Sequence, residues 1–251
     1  HPRLSKTNKS APGDPRRALD MLCDYLPQID TQEKAKSSLD YFMTRCLEEV
    51  DRKREEASSF EAAILTTNAF EARKFMNELL DKNFGGSALL LVANSIFNVL
   101  FPATEGFNVV PHPVNQAGTS SKQMSDLDIF TEDGKPYLAM ELKDKPFTET
   151  EVKKAAQTAH EHMAPSMLFI AGRSSALNEE VYRYFNQAKE EYEAKGMMIG
   201  VMSIDALMDF FFTTKHGVDS TMIFDLLRET MIETKATPET MRWVYREISE
   251  L

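Results

Sequence analysis

The chain has 251 residues, 42% hydrophobic, 27% charged and 10% aromatic, an ordinary globular profile for one large domain or a core domain with an appended part. With 10 Gly, 11 Pro and 2 Cys it is not collagenous, low-complexity or a disulfide framework. The net charge of −10 argues against a protein that coats phosphates passively, but not against a nucleic-acid enzyme, because binding follows the local field at one cleft.

The longest apolar run, Ala88–Ala93, is far too short to span a bilayer, and nothing apolar behind His1, Pro2 and Arg3 reads as a signal peptide. No membrane partner is expected. Cys23 and Cys46 fall in predicted helices without metal spacing and are read as reduced thiols in a reducing compartment.

In chain order, residues 1–14 are a Ser-, Lys- and Pro-rich terminus expected to fray. Helices are expected from Asp14 or Pro15 onward. Leu19, Leu22 and Leu26 recur at helical spacing, then Tyr41, Phe42, Cys46, Leu47 and Val50. Glu48 to Glu56 is a dense mixed-charge face, and a third helix is expected from about Phe60 to Leu80, broken at Asn83–Gly86. Ser87 is expected to cap a helix that is apolar nearly all round and therefore buried.

A strand at Phe107–Val110 and a polar loop from Pro111 to Met124 follow. Two strands are then expected, Asp126–Thr131 and Tyr137–Lys143, joined at Glu132-Asp133-Gly134, because Asp-Gly between β-rich runs is a strong hairpin signal. Thr148 to Glu151 fits a capping box for a helix striped with Val152, Ala155, Ala156, Ala159 and Met163. A strand at Met167–Ala171, a helix from Asn178 to Lys195 and a strand at Met197–Met202 come next. The remainder is helical, its last segment opened by Thr237-Pro238. The expected fold is α/β, a mixed sheet flanked by helices, divided as 1–14, a helical 15–86, a core of 87–204 and a helical 205–251.

The chemistry concentrates in the hairpin. Residues two apart on a strand face the same way, so Asp126 shares a face with Asp128, and Glu141 with Lys143. Leu127, Ile129, Leu138, Met140 and Leu142 point to the other face. Folding at Gly134 is expected to bring three carboxylates and an ammonium together. Close carboxylates repel unless a cation neutralises them, and an all-oxygen set suits Mg2+ first, with the Leu142 carbonyl as a further donor. A lysine at the rim can orient an attacking water or stabilise charge on a phosphate. The same residues also fit an amphipathic strand whose Asp128 and Glu141 face solvent and ion-pair with Lys143.

Asp126 (or Asp128) followed after a short hairpin by Glu141-Leu142-Lys143 resembles the signature of the PD-(D/E)xK nuclease superfamily, and the element order from Ser87 to Ala171 is similar to its core. The run Asn115–Gly118 to Asp126, then Glu141–Thr148, resembles type II restriction endonucleases, and among them the group around HaeII. Ser125 stands where the formal pattern has proline.

The resemblance implies a Mg2+-dependent endonuclease, with Mn2+ able to substitute. It acts on double-stranded DNA as a homodimer in a prokaryotic cytoplasm. By the same analogy Asp126 and Glu141 bind the metal, with Asp128 in reserve, Lys143 positions the nucleophile, and Gln157 faces the site from the next helix. Lys145, with Lys153 and Lys154, either meets backbone phosphates or is ordinary surface. Asn115, Gln116, Ser121, Lys122 and Gln123 lie in an amide-rich loop able to read base edges or to serve no function.

Two rivals stand beside this reading: a repair or recombination nuclease of the same superfamily, and an inactive nucleic-acid-binding or interaction module. His160 and His162 flank Glu161 but point apart on a helix, and His112, between two prolines, shows no partner. Gly85-Gly86 lacks a phosphate-loop context.

Overall fold

Alternating strands and helices build an α/β unit, as the hydrophobic periodicity predicts. The structure is a computed structural model and describes residues 5–8, 14–64, 68–82, 84–112, 123–215 and 217–249. Among these are nine α-helices and five strands. The chain divides into two units, residues 1–57 and 58–251.

The first unit holds α1 (Asp14–Tyr25) and most of α2 (Gln32–Ile64). None of its residues with described exposure is buried, and Leu39, Tyr41, Phe42, Met43, Leu47 and Val50 of α2 are exposed. The break expected between Glu56 and Phe60 is absent, and α2 runs through it. That stretch contains no Gly or Pro, and its Glu and Ala are strong helix formers. The next helix, α3 (Ala69–Lys82), starts later than expected, at a side-chain cap: Asn68 Oδ1 accepts from the Phe70 and Glu71 amides, and Glu71 Oε2 accepts from the Asn68 amide.

The second unit is built on a five-stranded sheet in the order β1 (Phe107–Pro111), β2 (Leu127–Thr131), β3 (Pro136–Lys143), β4 (Ser166–Ala171) and β5 (Met198–Ser203). The first three pair antiparallel and the last three parallel, so the sheet is mixed, as expected. Gly134, at φ 77°, makes the β2–β3 turn in the left-handed region that glycine favours.

One face of the sheet packs on α4 (Ser87–Leu100), whose residues Ala88 to Phe97 are all buried. Around it are α3, α7 (Ile204–Thr214), α8 (Ser220–Glu233) and α9 (Pro238–Ser249). Ser87 is not the cap of α4 but its first residue. Gly86, at φ 93°, takes the cap position with no side-chain bond, because the tight α3–α4 turn needs a left-handed residue there. The opposite face packs on α5 (Glu149–Glu161) and α6 (Glu179–Glu193). Met163, expected on the α5 stripe, lies past the helix end at φ 62° and is 81% exposed. Among the described residues no single helix is long and apolar enough to cross a membrane.

Candidate active site

The β2–β3 register fixes which side chains meet. Leu127 pairs with Met140 and Asp128 with Ala139. One step further along the same register, Asp126 falls opposite Glu141. Leu127, Ile129, Met140 and Ile170 enter the core under α4, while Ala139, Met167, Phe169 and Ala171 enter the core under α5 and α6. Glu141 pairs with Phe169 and Lys143 with Ala171. Side chains of directly paired residues share a face, so the charged row lies on the α5 side, at the end of β3.

The regular β2–β3 pairing stops at Leu127, one residue short of Glu141. The Leu142 amide, left without a strand partner there, donates to Asp126 Oδ2 at 3.0 Å. Ser125 Oγ donates to Glu141 Oε2 at 3.2 Å. Burial raises Asp126 above the usual carboxylate range, against the pull of the Leu142 amide and of Lys143. Burial, then the charge of Asp126, pushes Glu141 up to about 7. Two half-buried acids, both raised by burial, Asp126 further by the charge of Asp128 and Glu141 by that of Asp126, make a pocket electrostatically short of a positive charge.

Lys143 is only 11% exposed. Its Nζ lies 5.8 Å from the centroid of the Phe147 ring, which packs against Phe169 and Phe185. The ammonium is held by Glu151 Oε1, from the first turn of α5. Burial works against the Glu151 charge, but hydrogen bonds from Lys143 and from the Thr148 hydroxyl and amide hold the group down to about 2. The expected capping box is present, since the Glu151 amide also donates to Thr148 Oγ1. Glu151 therefore does two things at once, capping α5 and fixing the lysine. The capping signature revealed only the first, since the second depends on where α5 docks.

Asp128 is fully buried. Its Oδ2 accepts from the Met124 amide at 3.0 Å and lies 2.9 Å from His112 Nε2, while Oδ1 has no hydrogen-bond partner among the described residues. His112, read from sequence as partnerless, thus has one. The signal was the β1–β2 pairing, which places Val110 opposite Asp128 and carries the chain on to His112, whose amide donates to the Asp126 carbonyl at 2.9 Å.

The four charged groups share a face as expected, and their charges act on one another, though each has its own hydrogen-bond partner. Asp126 faces Glu141, Lys143 turns to Glu151, and Asp128 turns to His112. Among the described residues no group of three His, Cys, Asp or Glu side chains is placed to hold a metal ion. The donor set nevertheless fits a hard cation: two carboxylates across one ladder position, raised by burial, with the Leu142 carbonyl between the site's acids and Lys143.

Of the expected DNA contacts, Gln123 donates to the Ser125 carbonyl at 3.2 Å, which ties it to the segment entering the site. Lys145 is exposed just past β3. Gln157 is exposed and donates to Glu161 at 2.7 Å, one turn along its own helix. Asn115, Gln116, Ser121 and Lys122 lie outside the described residues.

Comparison of the whole sequence with curated proteins gives no match. Residues 65–173 match the family model described as the SacI restriction endonuclease C-terminal domain. The matched span contains α3, α4, β1 to β4 and α5, and with them His112, Asp126, Asp128, Glu141, Lys143 and Glu151. The match supports a restriction-endonuclease-like protein, suggests a DNA endonuclease, and agrees with the mixed α/β core found here.

Proposed function

We propose that the protein is a Mg2+-dependent endonuclease of the PD-(D/E)xK type that hydrolyses phosphodiester bonds in double-stranded DNA as a type II restriction enzyme. Mn2+ substitutes for Mg2+. The observation that carries the reading is the end of the hairpin: Leu127 and Met140 are its last pair, so Asp126 and Glu141 come next on their two strands, with Lys143 two residues on along the same face, inside the segment matched by a restriction-endonuclease family.

Asp126, Glu141 and the Leu142 carbonyl are the residues to hold the cation, which supplies Lewis-acid chemistry at the scissile phosphate. Ser125 orients Glu141 through its hydroxyl, and the Leu142 amide orients Asp126. Lys143, immobilised by Glu151 over the Phe147 ring, places an ammonium where it holds the attacking water and offsets charge growing on the phosphate. Lys145, exposed past β3, and Gln123, bonded to the Ser125 carbonyl, are the DNA contacts of this reading. A homodimer in a prokaryotic cytoplasm completes the reading, since cutting both strands of a palindrome takes two sites related by a twofold axis.

The test is digestion of DNA of known sequence with Mg2+, with Mn2+ and with EDTA, followed by end mapping. Discrete fragments that vanish in EDTA are expected. Metal-dependent cleavage without a fixed pattern replaces the restriction role with a repair or recombination nuclease. Absence of cleavage with either metal, from folded protein, overturns the enzymatic reading in favour of a binding module.

A further inference from the structure

We infer that Asp128 and His112 are positioning residues that brace the segment Met124–Asp126, and that Asp128 is not a ligand of the cation. The inference rests on the reading above that Asp126 and Glu141 form the active centre. Met124, Ser125 and Asp126 precede the first residue of β2, so the β2–β3 ladder does not fix them. Yet this short segment delivers two of the site's groups, the Ser125 hydroxyl on Glu141 and the Asp126 carboxylate on the Leu142 amide. Something else must hold its backbone still.

Beside the Gln123 side chain on the Ser125 carbonyl, three bonds do so, and these pass through Asp128 or His112. The Met124 amide donates to Asp128 Oδ2 at 3.0 Å, at one end of the segment. The His112 amide donates to the Asp126 carbonyl at 2.9 Å, at the other end. The His112 ring closes the circuit on the same Asp128 oxygen, at 2.9 Å. Asp128 itself does not shift readily, being fully buried and paired within the ladder opposite Ala139.

Asp128 pairs with Ala139, two residues before Glu141, while Asp126 and Glu141 are each the next residue past the last β2–β3 pair. Oδ2 of Asp128 already serves two partners, so only Oδ1, without a partner among the described residues, is left for ligation. An asparagine keeps a carbonyl oxygen for the Met124 amide and the His112 ring but removes the charge that a ligand needs. Alanine removes both.

The experiment compares Asp128→Asn, Asp128→Ala, His112→Ala and Asp126→Asn. Its readouts are kcat and KM for nicking of supercoiled plasmid, Mn2+ affinity by calorimetry, and hydrogen exchange at the Met124 amide. Asp128→Asn is expected to keep kcat and Mn2+ affinity within about threefold of the parent, whereas Asp126→Asn loses both. A displaced Asp126 costs turnover more than plasmid binding, so Asp128→Ala is expected to lower kcat about 30- to 100-fold with KM changed less than about threefold. His112→Ala is expected to fall between the parent and Asp128→Ala.

If Asp128→Asn loses Mn2+ binding and cleavage as fully as Asp126→Asn, Asp128 is a ligand and the inference is overturned. It is also overturned if Asp128→Ala and His112→Ala both leave kcat unchanged. Hydrogen exchange separates this failure from that of the functional reading. Even in a protein that cuts no DNA, the brace requires Met124 amide protection to persist in Asp128→Asn and to fall at least about tenfold in Asp128→Ala. Unchanged protection in Asp128→Ala ends the proposal.

Discussion

The two faces of the β2–β3 hairpin are made from alternate residues of the same two strands and obey opposite rules. On the α4 side, Leu127, Ile129 and Met140 are fully buried among apolar neighbours. On the α5 side, Asp126, Asp128, Glu141 and Lys143 occupy positions one residue away, where a sheet covered by helices ordinarily carries apolar side chains. The first face contributes stability through burial. The second costs stability, because burial pushes Asp126 and Glu141 toward their uncharged forms. The first face thus carries the fold for both, and the second is free to keep a strained arrangement of charge that suits chemistry.

The sharpest way to break this comparison is to remove the charges and ask whether the fold notices. Glu141→Ala and Lys143→Ala are each expected to lower Mg2+-dependent nicking of supercoiled plasmid by at least about 1,000-fold, a loss of roughly 4 kcal/mol in transition-state stabilisation. Circular dichroism of both variants should match the parent. Nicking at the parental rate in either variant would mean that the charged face is an ordinary solvated one.

The converse experiment acts on the other face. Leu127 is fully buried beside Met140 and Ile170 in the larger core, so Leu127→Ala is expected to cost about 3–5 kcal/mol of unfolding free energy, from lost transfer and a residual cavity. Urea denaturation reads this directly. A loss below about 1 kcal/mol would show that this face is not the one supporting the hairpin.

Glu141→Gln sharpens the contrast, because a substitution that abolishes activity is expected to stabilise the metal-free protein. The folded-state value of about 7 lies above the ordinary 4.5. Between those values the folded state binds the extra proton, so stability is highest below pH 4.5 and declines as pH rises through 7. Glutamine does not titrate. In EDTA the variant should therefore gain up to about 3 kcal/mol over the parent at about pH 8, and the gain should fall below about 1 kcal/mol near pH 5 and vanish by about pH 4. Thermal melts across that range would contradict the account if the difference were flat or reversed.

Much of the hairpin was legible because its signals are local. The Asp133-Gly134 turn, the alternation of Leu127, Ile129, Leu138 and Met140 against the charged row, and the Thr148–Glu151 cap each depend on neighbours within a few residues. The α2–α3 boundary was less legible, since the charged stretch after Glu48 contains nothing that stops a helix, while the start of α3 after Asn68 depends on a side-chain cap. Partner choice was not legible. Whether Lys143 turns to Glu141 or to Glu151 depends on where α5 docks against the sheet, and whether Asp128 joins Asp126 or His112 depends on how β1 continues past its last paired residue. The sequence placed these charges on the right face without saying which of them would be neighbours.

The smallest expected effect concerns the seam between the charged face and the helix covering it. Thr148 accepts from the Glu151 amide, and its own hydroxyl and amide donate to Glu151 Oε2 at 2.7 and 3.0 Å. Glu151 in turn holds Lys143. Thr148→Ala removes the cap oxygen but keeps the backbone donor, so it is expected to cost about 1 kcal/mol of stability. With one of its three anchors gone, Glu151 holds the lysine less firmly, and nicking should fall by only about two- to fivefold. Serine at the same position restores the hydroxyl and should restore both quantities. If Thr148→Ala lowers nicking as far as Lys143→Ala does, the cap belongs to the chemistry itself. If it lowers stability with no change in nicking, Lys143 is fixed by the Phe147 ring and the sheet without help from the cap.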